Sequence, residues 1–126
     1  MLTQEHAQTA LDFLEKADSY FEEGDQIQAS EKLWGAAAHA ILAVSIERGW
    51  PHTSHPAMKR AAERLSEEHG DSLIASNFGV AEKYHIDFYH LAMTEEAWLA
   101  DRPKVRDVVT RVLALRGGGR NGVGEE

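Results

Sequence analysis

Asp25-Gln26-Ile27-Gln28-Ala29-Ser30-Glu31-Lys32-Leu33-Trp34-Gly35-Ala36-Ala37-Ala38-His39-Ala40-Ile41-Leu42-Ala43-Val44-Ser45-Ile46-Glu47-Arg48 decides the fold. Ala29, Leu33, Ala37, Ala40, Ile41 and Val44 recur at three- and four-residue steps, with Trp34 at one edge. That spacing predicts one apolar stripe on a long helix. Gly49-Trp50-Pro51 stops it, because Gly caps the helix and Pro disfavours helix in the residue before it. A helix of this kind is marginal alone, so its stripe must be buried against neighbours.

The neighbours lie on both sides. Upstream, Ala7, Ala10, Leu11, Leu14, Ala17 and Phe21 form a second helical stripe, with Thr3 as N-cap and Gly24 at the end. Downstream, Pro51–His55 is a short loop, and Pro56 suits the first turn of a third helix. That helix turns Met58, Ala61, Ala62 and Leu65 inward and ends near His69-Gly70. Asp71 or Ser72 caps a fourth helix running from Ser72 to about Met93. Its predicted buried stripe is Ile74, Phe78, Ala81, Glu82, His85, Phe88, Tyr89 and Ala92, with Gly79 a weak point. Thr94-Glu95-Glu96 reads as a short turn, and Asp101 as the cap of a fifth helix bearing Val105, Val108, Val109, Val112 and Leu115. Strand signals are nearly absent. The pattern predicts an all-α chain, an antiparallel four-helix up-and-down bundle with an additional C-terminal helix. Residues 1–116 form one domain, and 117–126 a flexible, Gly-rich acidic tail.

Composition narrows the function. The chain has 126 residues, 43% of them hydrophobic, and no cysteine, so thiolate chemistry and disulfides are excluded. No apolar run is long enough to span a bilayer, and the first residues do not begin like a signal peptide. A cytoplasmic protein without membrane contact is expected. The formal charge of −8 disfavours a broad nucleic-acid surface. Trp50 and Trp98, read as exposed, suggest burial at a homodimer interface.

Histidines mark the candidate site. Glu82, His85 and Tyr89 share the predicted buried face of the fourth helix, where a carboxylate needs a partner or a metal. Glu31, Gly35, Ala38, His39 and Leu42 follow one line on the second helix, and its small residues admit either a neighbouring helix or a small ligand beside Trp34. His52 and His55 return over one end of the bundle. His39, His52, His55, Glu82 and His85 are therefore candidate ligands for zinc or iron. His39, Glu82, His85 and Tyr89 are candidate acid–base groups, with Glu31 and Trp34 as binding residues for a small molecule. Glu82-x-x-His85 matches half of a di-metal bundle motif. The plainer reading stands beside it: His39 bonding a backbone carbonyl, His55 capping the third helix, and Glu82 and His85 satisfying each other. Lys83, Asp87 and His90 fall on an adjoining face expected to be wet.

Ala29-Ser30-Glu31-Lys32-Leu33-Trp34-Gly35-Ala36-Ala37-Ala38-His39, Gly49-Trp50-Pro51-His52-x-x-His55 and Ala81-Glu82-x-x-His85-x-x-Phe88-Tyr89 occur in order between Thr3 and Leu115. This arrangement resembles the small PaREP-type proteins grouped with the HEPN superfamily (higher eukaryote and prokaryote nucleotide-binding). The resemblance implies an HEPN-like bundle, often dimeric, and a loose association with RNA cleavage, nucleotide binding or toxin–antitoxin systems. HEPN ribonucleases resemble one another in an Arg-x(4–6)-His motif. Here no Arg stands in that stretch, and Lys83 with His90 is the nearest substitute. An RNA-directed protein and a partner-binding module therefore stand as alternatives to the small-molecule or metal site.

Overall fold

The computed structural model describes residues 2–117. They form five helices: α1 (Leu2–Glu22), α2 (Gln26–Arg48), α3 (His55–His69), α4 (Ser72–His90) and α5 (Glu95–Leu113). The described residues contain no strand, so the chain is all-α. The tail expected to be flexible lies, from Gly118 onward, outside the described residues.

Short polar residues and glycines set the boundaries. The Asp25 side chain accepts from the Gln28 N–H, satisfying one of the orphan donors of α2. Gly49 and Gly70 end α2 and α3 at φ 72° and 60°, where any other residue would be strained. Ser54, rather than His55, caps α3 by accepting from Ala57, and Pro56 sits in the first turn. Asp71 caps α4. Two expected boundaries move. Thr94 caps α5 by accepting from Ala97, so Asp101 and Pro103 lie inside one continuous helix. Helix α4 stops at His90, where Leu91 takes a left-handed conformation at φ 47°.

Helix α2 is the axis and packs against all four others; α1 packs mainly on α2. The α1–α2 contact is close because its residues are small. Ala7, Ala10 and Ala17 on α1 and Ala36, Ala40 and Ala43 on α2 are buried. The Phe13 ring fills the space where a Gly35 side chain would stand: a Cβ there would lie 2.7 Å from Phe13 Cδ2. On the other side of α2, Leu33, Ile41 and Val44 join Leu65, Ile74, Phe78 and Val105, Val108, Val109 and Val112 in one core.

That core contains a polar network the sequence does not announce. Asp87, expected to be wet, is fully buried. Its carboxylate accepts from the Ser30 hydroxyl, from Gln26 Nε2 at 3.2 Å and from the Met93 N–H at 2.7 Å. Ser30 Oγ in turn accepts from Trp98 Nε1 at 2.9 Å, and the Tyr84 hydroxyl donates to the Trp98 carbonyl at 2.6 Å. Burial raises the Tyr84 hydroxyl pKa, helped by the charge of Asp101. The inward face of α4 is thus Ile74, Asn77, Phe78, Ala81, Tyr84 and Asp87. The predicted stripe is corrected: Glu82, His85 and Phe88 are half-buried, and Tyr89 is 66% exposed.

The two indoles behind the expected dimer interface are both taken up within one chain. Trp98 is fully buried and stacks on Phe21 at 4.1 Å. Trp50 is half-buried beneath the Arg64 guanidinium at 4.3 Å, with Arg48 at 5.4 Å. Among the described residues, no helix is long and apolar enough to cross a membrane.

Candidate functional site

Helix α3 starts where α2 and α4 lie side by side, and its first turn delivers His55 onto α4. His55 Nε2 lies 2.6 Å from Glu82 Oε2. Lys59, one turn further along α3, reaches Glu82 Oε1 at 3.7 Å. Glu82 is therefore a half-buried carboxylate between two basic groups, which answers the cost of its burial. Lys59 was not a sequence candidate. Its spacing of four from His55 is the signal that could have found it.

Trp34 of α2 floors this corner. Its ring lies 4.9 Å from His55, 4.9 Å from His85 and 5.6 Å from Phe78. His85 stands edge-on to His55 at 5.7 Å and to Tyr89 at 5.2 Å. Trp34, His55, Glu82, His85 and Tyr89 thus come together, at the surface of the molecule rather than in its core. His85 is packed through its ring alone, and the described residues make no hydrogen bond to it. Burial lowers the His85 pKa, as does the charge of His55, and Glu82 opposes both. His85 is accordingly a neutral imidazole near pH 7, with two nitrogens available to donate and accept.

The remaining candidates lie elsewhere. His39 faces α1: its Nδ1 is 2.8 Å from His6 Nδ1, the two rings stack, and Phe13 meets His39 edge-on. Burial lowers the His39 pKa, and the charge of His6 adds to this. The Glu31–Gly35–His39 line thus receives a neighbouring helix, one of the two uses its small residues allow. His52 turns back to the Trp50 carbonyl, its Nδ1 at 2.9 Å. Glu31 reaches Lys32 at 3.9 Å. Lys83 lies 3.7 Å from Asp101 Oδ2, where its charge is already matched, and His90 is exposed about two turns beyond. The five expected metal ligands therefore do not converge. Among the described residues, no group of three or more His, Asp or Glu side chains is placed to hold a metal ion. The reason is rotational: His39 and Trp34 point to opposite sides of α2.

A groove of about 520 Å³ lies apart from this corner, between Trp50-Pro51 and the outer face of α3, lined by Arg60, Glu63 and Arg64 among others. Its charged walls are partly engaged already: Glu68 accepts from Arg64 at 3.0 Å and from Arg48 at 3.2 Å.

Comparison with known proteins adds the following. The model of a family described as the archaeal PaREP1/PaREP8 family matches residues 5–109. A Sulfolobus solfataricus protein known from a crystal structure has a similar fold, with a TM-score of 0.74 and 23% identity over 84% of this chain and 94% of that one. No curated protein matches.

Proposed function

The chain belongs to the archaeal PaREP1/PaREP8 family, and from that premise we propose that its Trp34–His55–Glu82–His85–Tyr89 corner binds a small polar molecule and exchanges a proton with it. The observation that carries this reading is the contrast between two neighbouring imidazoles. His55 is committed to Glu82 at 2.6 Å, while His85, 5.7 Å away, is neutral and has no hydrogen-bond partner among the described residues. A neutral imidazole accepts a proton, and a carboxylate-paired imidazole beside it supplies one or stabilises developing negative charge. The Tyr89 hydroxyl, largely exposed, and the Trp34 ring would orient the ligand. All five groups stand on helices rather than loops. A zinc or iron centre is not part of the reading, because His39 and His52 are engaged elsewhere.

The test is histidine ring ¹⁵N NMR across a pH series, paired with intact-mass analysis of gently purified protein. The reading expects His85 to titrate below 6.5, its ordinary value. Glu82→Gln removes a charge that raises the His85 pKa and should lower it further. A bound small molecule should be retained by the wild type and lost from His85→Ala. A His85 curve unmoved by Glu82→Gln, with no ligand retained, would sink it.

A further inference from the structure

The α1–α2 turn and the α4–α5 loop lie at the same end of the bundle. Gln26 Nε2 donates to the Met93 carbonyl at 2.8 Å and to Asp87, and Phe21 stacks on Trp98. Charge at this end is one-sided. Glu22, Glu23, Asp25, Glu95 and Glu96 are all exposed, and none forms an ion pair among the described residues. No Lys or Arg occurs from Phe21 to Glu31, nor from Tyr84 to Asp101.

The same two stretches carry apolar surface. Of the seven large apolar side chains that are exposed, five fall here: Ile27, Ile86, Tyr89, Leu91 and Leu99. Leu91 is the most telling. Its φ of 47° is a conformation that L-residues other than Gly or Asn adopt only at a cost of roughly 1–2 kcal/mol. Its side chain is 57% exposed, so packing within the chain returns little of that. A leucine kept at a glycine position, pointing outward, is explained by contact with something else.

We infer that this end of the bundle is a docking surface for a basic amphipathic helix of a partner protein. The apolar side of such a helix would cover Leu91 and its apolar neighbours, and its Lys and Arg side chains would meet the five carboxylates. Charge complementarity selects this occupant over others. A second copy joined through the same end would bring like charges together, since a two-fold interface is self-complementary in its residues. An anionic strand or lipid surface is repelled for the same reason. Tyr89 borders both this surface and the His85 corner, but the inference does not rest on the proton chemistry of His85, and its test varies neither residue.

The probe is a synthetic helical peptide of about 18 residues, five turns, built only from Leu and Lys at amphipathic spacing. A Leu/Glu peptide of the same pattern is the control. Binding is followed by calorimetry at low and high salt and mapped by backbone amide NMR. The expected result is binding of the Leu/Lys peptide alone, with shifts concentrated in residues 22–31 and 86–100. Glu95→Lys/Glu96→Lys should weaken it by roughly tenfold or more, about 1.4 kcal/mol. Leu91→Asn tolerates the left-handed conformation, so it should fold normally and also bind more weakly. Thermal melts of each variant confirm the fold. Shifts centred on the α3 groove, binding unaffected by either variant, or a wild-type dimer split by Leu91→Asn would each overturn the inference.

Discussion

Replacing Asp87 with Ala tests whether the buried network holds the helices together. The carboxylate is fully buried and has no cationic partner among the described residues; three donors from α2 and the α4–α5 loop satisfy it instead. A hydrogen bond to a charged group contributes about 1.5–3 kcal/mol, and a buried donor left unpaired costs about 1–3 kcal/mol. In Asp87→Ala the Met93 N–H and the Ser30 hydroxyl lose their acceptor, whereas Gln26 keeps the Met93 carbonyl at 2.8 Å. Release of the desolvated carboxylate offsets part of the loss. The expected net destabilisation is about 4 kcal/mol, a large share of the 5–15 kcal/mol typical of a domain. At about 4 °C per kcal/mol for a chain of this size, Tm should fall by about 15 °C. Asp87→Asn keeps the volume and one acceptor and should lose about half as much. Urea unfolding, read by helical circular dichroism and by the fluorescence of the neighbouring Trp98, gives both numbers. A loss below about 1 kcal/mol in Asp87→Ala would mean that water replaces the carboxylate and that the network does not organise the core.

Three further outcomes follow from the packing and the titrating groups. Gly35→Ala gains about 1 kcal/mol of helix propensity but drives a Cβ to 2.7 Å from the Phe13 ring. It should destabilise the wild type and stabilise a Phe13→Ala background, and a double-mutant cycle of urea midpoints checks the change of sign. His39 and His85 both have folded pKa values below the ordinary 6.5, so the unfolded chain binds more protons as the pH falls past that value. Stability should therefore be complete above pH 6.5 and drain as the pH drops through the folded values. His39→Asn should flatten the slope, and a urea midpoint constant or rising from neutral to acid would refute the assignment. Leu91→Gly relieves the φ of 47° at an exposed position and should raise stability by about 1 kcal/mol in thermal melts, and an unchanged or lower Tm would refute the strain.

The helices were legible because their boundaries are local chemistry. Asp25, Gly49, Pro56, Gly70 and Asp71 act on backbone groups within a few residues of themselves. The rotation of α4 about its axis was not legible. Apolarity alone places Phe88 and Tyr89 inside, but the structure turns Tyr84 and Asp87 inward, because Ser30, Gln26, Trp98 and Met93 supply their partners. Those partners come from other elements, and no local spacing reveals them. The same limit governs the site. Glu82, His85 and Tyr89 follow one line of α4, and the structure brings Trp34 and His55 beside it. His39 was grouped with them because spacing along α2 does not say which neighbour each line of residues meets. Asp101 was read as the cap of the fifth helix; the helix instead starts at Glu95 and runs through Asp101 and Pro103.

The alanine-lined seam between α1 and α2 has a consequence for how the molecule breathes. Close approach is achieved with small side chains, so α1 buries few methylenes for its length: Leu14 is the largest of its fully buried residues. Its other ties are the Phe13 ring against Gly35, the Phe21 stack on Trp98, the His6–His39 pair, and Asp18 reached by Arg102 and Arg106 from α5. If α1 lifts away, the alanine seam and the Phe21 side of Trp98 are uncovered, while the Asp87 hydrogen bonds and the valine face of α5 stay closed over α2. Amide protons of α1 should therefore exchange with solvent through a partial opening of lower free energy than global unfolding, while those of α2 and α4 wait for the whole chain to unfold. The first helix should behave as a separately released unit on a four-helix remainder, and the lowered pKa of His39 should make that release easier in acid.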